Sequence, residues 1–340
     1  LIAAFDNYTQ NLSNARELIS LDIERFEIIL FKTLKTQRKY IGVNTLEAYK
    51  RGKKFRPILL MLSARLNGKE DPTKPLPDKI IRAAVSLEMM HTGSLIHDDI
   101  VDGATLRRGL PSLNAERGHE EALLIGNMQM IESMRSFVGA VRSKSDLRLV
   151  RYYMDTAFTL CRGEIDELRQ KPSWKTAFLR KRYLRTIDRK TGKLIALACE
   201  AGARLVDARI REVIAMEKFG MYSGRAFQIM DDLKDIFHSK EDSGKEQFID
   251  LKNRKISLPY IYVLEALPAQ NPLKKILSGR NYTEADFQKA TTLVLRSPGI
   301  YKAYSEARVY MIKAIEQLKI YESNPYALCL QHLLESVINN

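Results

Sequence analysis

The sequence predicts an all-α protein, and three observations carry that prediction. Apolar residues recur at helical spacing, strand-like alternation is nearly absent, and short breakers separate the periodic runs. The breakers are Asn67-Gly68, the Pro72, Pro75 and Pro77 cluster, Gly109 to Pro111, Lys171-Pro172, Asp242 to Gly244, and Pro268 to Pro272. Gly52-Lys53-Lys54-Phe55-Arg56-Pro57 leads into a helix, where Pro57 suits the first turn. Pro77-Asp78 predicts the entry of a second, which continues to Asp98, and Asp207 predicts the opening of a third through Asp235. None of the breaks is long enough for a linker, so residues 1–340 read as a single domain.

Apolar content of 45% and charged content of 28% are those of a soluble globular protein. No run approaches the length of a membrane span, and Leu1 to Gln10 lacks the pattern of a signal peptide. Cys161, Cys199 and Cys329 lie far apart in apolar helical contexts without metal-ligand spacing. Reduced, buried thiols in a cytoplasmic protein are expected. The net charge of +14 is spread along the chain, loosely clustered only at Arg180 to Arg189. Without zinc-ligand spacing, an RNP-like motif or a helix-turn-helix signature, it argues against nucleic acid. Solvated basic faces and an anionic substrate explain it better, with weak attraction to an anionic membrane surface as a secondary effect.

Function is written in two acidic runs, Asp98-Asp99-Ile100-Val101-Asp102 and Asp231-Asp232-Leu233-Lys234-Asp235. Each reads DDxxD and ends an apolar helical stretch. Positions i and i+4 share a helix face, so Asp98 pairs with Asp102 and Asp231 with Asp235. Like charges so placed repel unless cations neutralise them. Hard oxygen donors suit Mg²⁺, which completes its octahedron with water and substrate phosphate. Two facing pairs would clamp a magnesium-bound diphosphate. A solvated acidic face is the alternative, but Leu95-Ile96 and Phe227 to Met230 surround the acids with apolar side chains. His91 shares the face of Asp98 and Asp102 to within about 20°. Gln228 shares a broad face with Asp231, Asp232 and Asp235. Lys53 and Arg56 sit at a helix start, where an anion is well held.

Together these residues resemble the trans-isoprenyl diphosphate synthases, which elongate allylic diphosphates with isopentenyl diphosphate. The signatures GKxxRP, HxxSLxHDDxxD, RRG, KT, FQxxDDxxD and GK…D…K occur in the family's order between Gly52 and Pro259. The resemblance implies a single-domain helical bundle of the isoprenoid synthase type around a deep central cavity. It also implies a homodimer, or a heteromer with a second subunit. About three Mg²⁺ would be held by Asp98, Asp102, Asp231 and Asp235, with Asp99 and Asp232 as further ligands or supports. Lys53, Arg56, His91 and Arg108 would bind isopentenyl diphosphate. Arg107, Lys190, Thr191, Gln228, Lys245 and Lys255 would hold the allylic diphosphate, with Lys190 counted among the catalytic residues. The primer would be a geranyl, farnesyl or geranylgeranyl diphosphate.

Short-product members usually carry an aromatic residue at Gly93, Ser94 or both, whereas both are small here. That implies an open pocket and trans-polyprenyl products of roughly C25 to C40 for quinone side chains, with Met128, Met130 or Phe137 as a deeper floor. The alternatives are a short-chain (C15–C20) synthase, a non-catalytic subunit of a heteromeric synthase, or a class I terpene cyclase. Intact acidic motifs argue against the subunit, and the Lys53, Arg56 and His91 set argues against the cyclase. The chain departs from the family at Asn127, where Gly-Asp is usual, and at Phe248 and Arg254, where glycine is usual. Phe and Arg resist the backbone conformations that glycine permits, so this loop is expected to close differently over substrate.

Overall fold

The computed structural model describes residues 2–107, 109–141, 143–237 and 247–338. Apart from connecting loops and one small hairpin, those residues are helical. The first half comprises α1 (Ile2–Leu18), α2 (Ser20–Lys35), α3 (Arg38–Arg51), α4 (Phe55–Asn67) and α5 (Asp78–Val101). The hairpin, β1 (Leu106–Arg107) with β2 (Leu110–Pro111), pairs antiparallel and is followed by α6 (Leu113–Arg117), α7 (His119–Val138) and α8 (Lys144–Leu168). Then come α9 (Thr176–Ile187), a π-helical turn (Asp188–Gly192), α10 (Lys193–Leu205) and α11 (Ile210–Phe237). The chain continues with α12 (Ile249–Lys252), α13 (Leu258–Ala266), α14 (Pro272–Leu277), α15 (Glu284–Arg296), α16 (Pro298–Leu318) and α17 (Pro325–Ile338).

Local chemistry sets the boundaries. α5 starts after Pro77 with Asp78 in its first turn, where a carboxylate favours the helix dipole. Thr283 and Asp286 form a reciprocal capping box on α15. The expected entry at Asp207 is corrected. Asp207 adopts φ 54° and ends α10, its N–H bonding to the Arg204 carbonyl. α11 begins three residues later, where Glu212 accepts from the Arg209 N–H.

A contiguous apolar core runs from Tyr8 to Ile338. α10 lies at its centre, buried from Leu194 through Ala203 between α4, α8 and α11. α5 packs along α7, and α11 along α16. The expectation of buried thiols holds for Cys199 but not for Cys161, which is exposed on the outward face of α8. That face carries Leu147, Met154, Phe158 and Ile165 at helical spacing, and α7 exposes Leu124, Ile131 and Val138 at heptad spacing. Among the described residues, no helix is long and apolar enough to cross a membrane.

Candidate functional site

The first acidic motif closes α5. His91, Ser94 and Asp98 are half-buried, whereas Asp99 turns into the protein and is buried. The hairpin returns Arg107 onto Asp99, its Nε lying 2.9 and 3.0 Å from the two carboxylate oxygens and its Nη2 making a third contact. Asp99 is thereby committed to arginine, while Asp98 and Asp102 remain on the other side. Burial raises the Asp98 pKa, Lys190 opposes the rise and the neighbouring Asp102 adds to it. A carboxylate in that condition is short of positive charge.

The second motif lies near the end of α11. Asp232 is buried and accepts from Tyr183 Oη at 2.6 Å and from Gln228 Nε2 at 3.1 Å. Gln228 in turn accepts from the Thr191 hydroxyl at 2.7 Å. The broad face expected from helical geometry therefore splits: Asp232 anchors inward, while Asp231 is exposed. Burial pushes the Asp232 carboxyl well above the usual range, and Asp250 adds to that. Asp235 accepts from the backbone N–H groups of Ile249 and Asp250 at 3.1 and 3.2 Å. Burial still raises its pKa against those two bonds.

Lysines join the motifs. Lys190 sits on the π-turn, a local widening of the helix common at functional sites. Its Nζ lies 2.8 Å from both Glu164 and Glu167 of α8. α8 comes this near because residue 163 is glycine: a Cβ there would lie 2.8 Å from the Lys190 backbone nitrogen. Lys255 bonds Asp102 at 3.2 Å and lies 3.9 Å from Asp250, linking the end of α5 to α12. Burial lifts the Glu164 carboxyl to about 7, with the Asp98 charge adding to it. Burial and Asp235 lift Asp250 likewise to about 7. Glu164, Glu167 and Tyr183 were not singled out from the sequence, and Asp250 entered only as the Asp of the GK…D…K signature. Glu164 and Glu167 are spaced as on any solvated helix face, and only Gly163 beside them hints at a close approach.

The basic start of α4 forms a second centre. Lys53 Nζ lies 4.4 Å from the Tyr8 ring centroid, a cation–π distance, and the Arg56 charge also reaches Tyr8. Phe55 stacks on Phe227 of α11 with centroids 5.8 Å apart. Lys54, in the left-handed region at φ 56°, is buried, bonds the Tyr49 carbonyl and lies 3.5 Å from the buried Glu88. Glu88 is one turn before His91, so this ion pair ties the α4 start to the His91 region of α5. Arg108 and Lys245 lie outside the described residues.

The departures have structural consequences. Phe248 and Arg254 adopt φ 59° and 60°, in the left-handed region that favours glycine, so the expected resistance of these side chains does not keep the backbone out of it. Phe248 offsets the strain by burial, packing edge-on to Phe287 at 6.4 Å. Its N–H bonds the Asp235 carbonyl at 2.9 Å, at the head of the segment that holds the Asp235 carboxylate. Asn127 is exposed, and Gly126 is closely covered by His97, whose Nε2 would lie 2.4 Å from an added Cβ.

The expected open space beside Gly93 is also corrected. A Cβ there would lie 3.1 Å from Met130 Cγ and Sδ, because α7 packs against this stretch of α5. Met130 fills the space that the glycine leaves. Ser94 is half-buried, its hydroxyl bonded to the His91 carbonyl at 2.8 Å. Phe137 lies deeper, stacked on Tyr153 at 4.1 Å.

Among the described residues, no three carboxylate, imidazole or thiolate side chains converge into a complete metal cage. The site is instead a ring of hard oxygen donors with lysines between them. Comparison with known proteins shows the family. The polyprenyl synthetase family model matches residues 43–294. The chain is 30% identical over 307 residues to heptaprenyl diphosphate synthase component 2 of Bacillus subtilis, covering 89% of this chain and 84% of that protein. It is 31% identical over 291 residues to nonaprenyl diphosphate synthase of Mycobacterium tuberculosis, covering 85% and 83% respectively. A decaprenyl diphosphate synthase from Rhodobacter capsulatus shares the fold at TM-score 0.86 and 23% identity, over 96% of this chain and 98% of that one. A Caulobacter crescentus polyprenyl synthase, complexed with calcium and isoprenyl diphosphate, does so at 0.83 and 24%, over 97% and 98%. With its helical fold and two inward-tied DDxxD motifs, the chain belongs to the polyprenyl synthetase family.

Proposed function

We propose that the protein condenses isopentenyl diphosphate with an allylic diphosphate, in a Mg²⁺-dependent reaction that lengthens a trans-polyprenyl chain. The observation that carries this reading is the pairing of two different anion sites. One is the carboxylate ring with Lys190 and Lys255, and the other is the basic start of α4. A diphosphate ionised by metal needs the first, and a second diphosphate that retains its group needs the other.

The donor set fits Mg²⁺. Asp98 and Asp235 are hard carboxylates whose burial leaves them short of positive charge. Asp98 and Asp102 on α5 and Asp231 and Asp235 on α11 would hold about three ions, the remaining ligands being water and diphosphate oxygens. Asp99 and Asp232 would act by orienting their helices, since Arg107 and the Tyr183–Gln228 pair already engage them. Bound there, Mg²⁺ would stabilise the charge that develops on the departing diphosphate.

The chain's own residues do the rest. Lys190, Lys255, Thr191, Gln228 and Arg107, together with Lys245, would bind and orient the allylic diphosphate. Lys53, Arg56 and His91, with Arg108, would hold isopentenyl diphosphate so that its alkene faces the allylic carbon. The C–O bond breaks, the alkene attacks the allylic cation, and the proton lost from the new cation goes to the departed diphosphate. No side-chain base is needed.

Met130, beside Gly93, would be the first wall that the growing chain meets. A thioether can swing aside, which supports a medium- to long-chain product of roughly C25 to C40. The heptaprenyl product named for one relative falls within that range and the nonaprenyl product named for another is longer, so both names favour a medium- to long-chain product over a short one. The continuous core supports one synthase domain over 1–340. The outward apolar stripes of α7 and α8 would form the seam of a homodimer, burying Leu124, Ile131 and Phe158. The component 2 relative supports a second reading, in which another subunit covers that seam.

The test is incubation of purified protein with farnesyl diphosphate, labelled isopentenyl diphosphate and Mg²⁺, followed by dephosphorylation and sizing of the products. A ladder ending between about C25 and C40 is expected. A stop at C20 would retain the transferase and refute the Met130 reading. Absence of incorporation at any protein concentration would refute unaided catalysis.

A further inference from the structure

The second acidic motif contains a cation, Lys234, which the site described so far leaves unused. Lys234 lies one helical turn after Asp231 and two turns after Phe227, so Phe227 and Lys234 share one stripe of α11. Phe227 stacks on Phe55 at the start of α4, which faces that stripe toward Lys53 and Arg56. Lys234 is half-buried, and among the described residues it makes no hydrogen bond and no ion pair within 4 Å. Burial disfavours its ammonium, Asp231 favours it, and the nearby Lys53 disfavours it further.

An unpaired, half-buried lysine beside a second lysine costs stability unless an anion comes between them. Asp235 is taken up by the backbone of α12, and Asp231 favours the Lys234 ammonium only through space, without an ion pair within 4 Å among the described residues. We infer that Lys234 is an additional contact for the diphosphate of isopentenyl diphosphate, reaching it from α11 while Lys53 and Arg56 reach it from α4. The lysine would then couple the two halves of the site, because its helix also carries Asp231 and Asp235. Arrival of the second substrate would draw the second carboxylate pair toward the start of α4. This inference rests on the prenyltransferase reading above.

The test compares full-length wild type with Lys234→Met, Lys234→Arg and Lys53→Met. Calorimetry measures isopentenyl diphosphate binding without Mg²⁺, and steady-state rates give KM for each substrate. Lys234→Met should weaken isopentenyl diphosphate binding about tenfold, the worth of one charge-assisted contact, while KM for farnesyl diphosphate stays within about twofold. Lys234→Arg should restore most of the affinity. Because the free lysine is repelled by Lys53, Lys234→Met should unfold at or above the wild-type temperature, and inorganic pyrophosphate should stabilise it less than wild type. If Lys53→Met loses affinity and Lys234→Met does not, the inference falls and the transferase reading stands. Equal losses for both substrates in Lys234→Met would overturn it too, placing the lysine with the allylic site. If wild type binds no isopentenyl diphosphate, the transferase reading fails first.

Discussion

The two acidic motifs share a spelling, but the protein treats them differently. At the end of α5 the carboxylates are balanced by full charges: Arg107 on Asp99 and Lys255 on Asp102, with Lys190 opposing the rise at Asp98. Near the end of α11 they are balanced by dipoles: the Tyr183 hydroxyl and Gln228 amide on Asp232, and two backbone N–H groups on Asp235. Flexible lysines can exchange a carboxylate for a phosphate, whereas a hydroxyl and a backbone turn keep their geometry. On the proposed function, the first motif would exchange partners when metal and diphosphate arrive. The second is pre-set.

The comparison breaks most visibly if one pair can be spared. Asp98→Asn and Asp231→Asn should each lower Mg²⁺-dependent incorporation by about 10²- to 10³-fold, the scale for losing one group that stabilises developing charge. Near-wild-type incorporation in either variant would show that the motif is decorative. A smaller effect tests the dipolar support. Tyr183→Phe leaves Asp232 buried with Gln228 alone and should cost about 10- to 100-fold in rate, with the Mg²⁺ requirement rising. An unchanged Mg²⁺ dependence would mean that the hydroxyl does not position the motif.

Packing beneath the cationic side comes next. Gly163→Ala drives a Cβ against backbone atoms at Lys190, which cannot yield as a side-chain tip would. Denaturant unfolding should show a loss of about 1–3 kcal/mol. A stability equal to wild type would mean that α8 and the π-turn can separate freely. The pH dependence sharpens the same region. Burial holds the Glu164 proton to about 7, above the ordinary value near 4.5. Its stabilising effect is thus full below that ordinary value and is lost as pH rises through about 7. Between those limits the metal-free wild type should lose stability with rising pH, and Glu164→Gln should show a flatter profile in thermal unfolding. Parallel profiles would contradict the assignment.

The smallest effect lies in the loop behind Asp235. Arg254 holds a left-handed conformation at φ 60°, and Arg254→Gly should relieve about 1 kcal/mol, less the entropy that glycine adds to the unfolded chain. A rise in unfolding temperature of at most about 1 °C is expected, and a decrease would show that the packing of the Arg254 guanidinium over Gly279 outweighs the strain.

The sequence made the acidic motifs legible because helical spacing is a local property, and two chemically odd runs stand out against apolar surroundings. Phe248 and Arg254 were expected to shift their loop because Phe and Arg resist the conformations that glycine permits, yet both adopt the left-handed conformation. Other features depend on partners distant in sequence. Apart from the adjacent Gly163, nothing local distinguishes Glu164 from a solvated glutamate until the π-turn brings Lys190 to it. Gly93 read as open space because a small residue leaves room, but α7 supplies Met130 to fill it. Asp207 read as a helix start because aspartate caps helices, yet it ends the preceding one in the left-handed region that Asp tolerates. Cys161 read as buried because its neighbours are apolar, but those neighbours line an outward stripe.

The central claim is that the two carboxylate pairs take up metal together with a diphosphate. Its most direct test is Mn²⁺ binding, followed by electron paramagnetic resonance, as inorganic pyrophosphate is added to the wild-type protein. No three side chains of the described residues form a cage alone, so weak uptake is expected without pyrophosphate and about three tightly held ions with it. Uptake that is indifferent to pyrophosphate, or unchanged in Asp98→Asn and Asp231→Asn, would contradict the account.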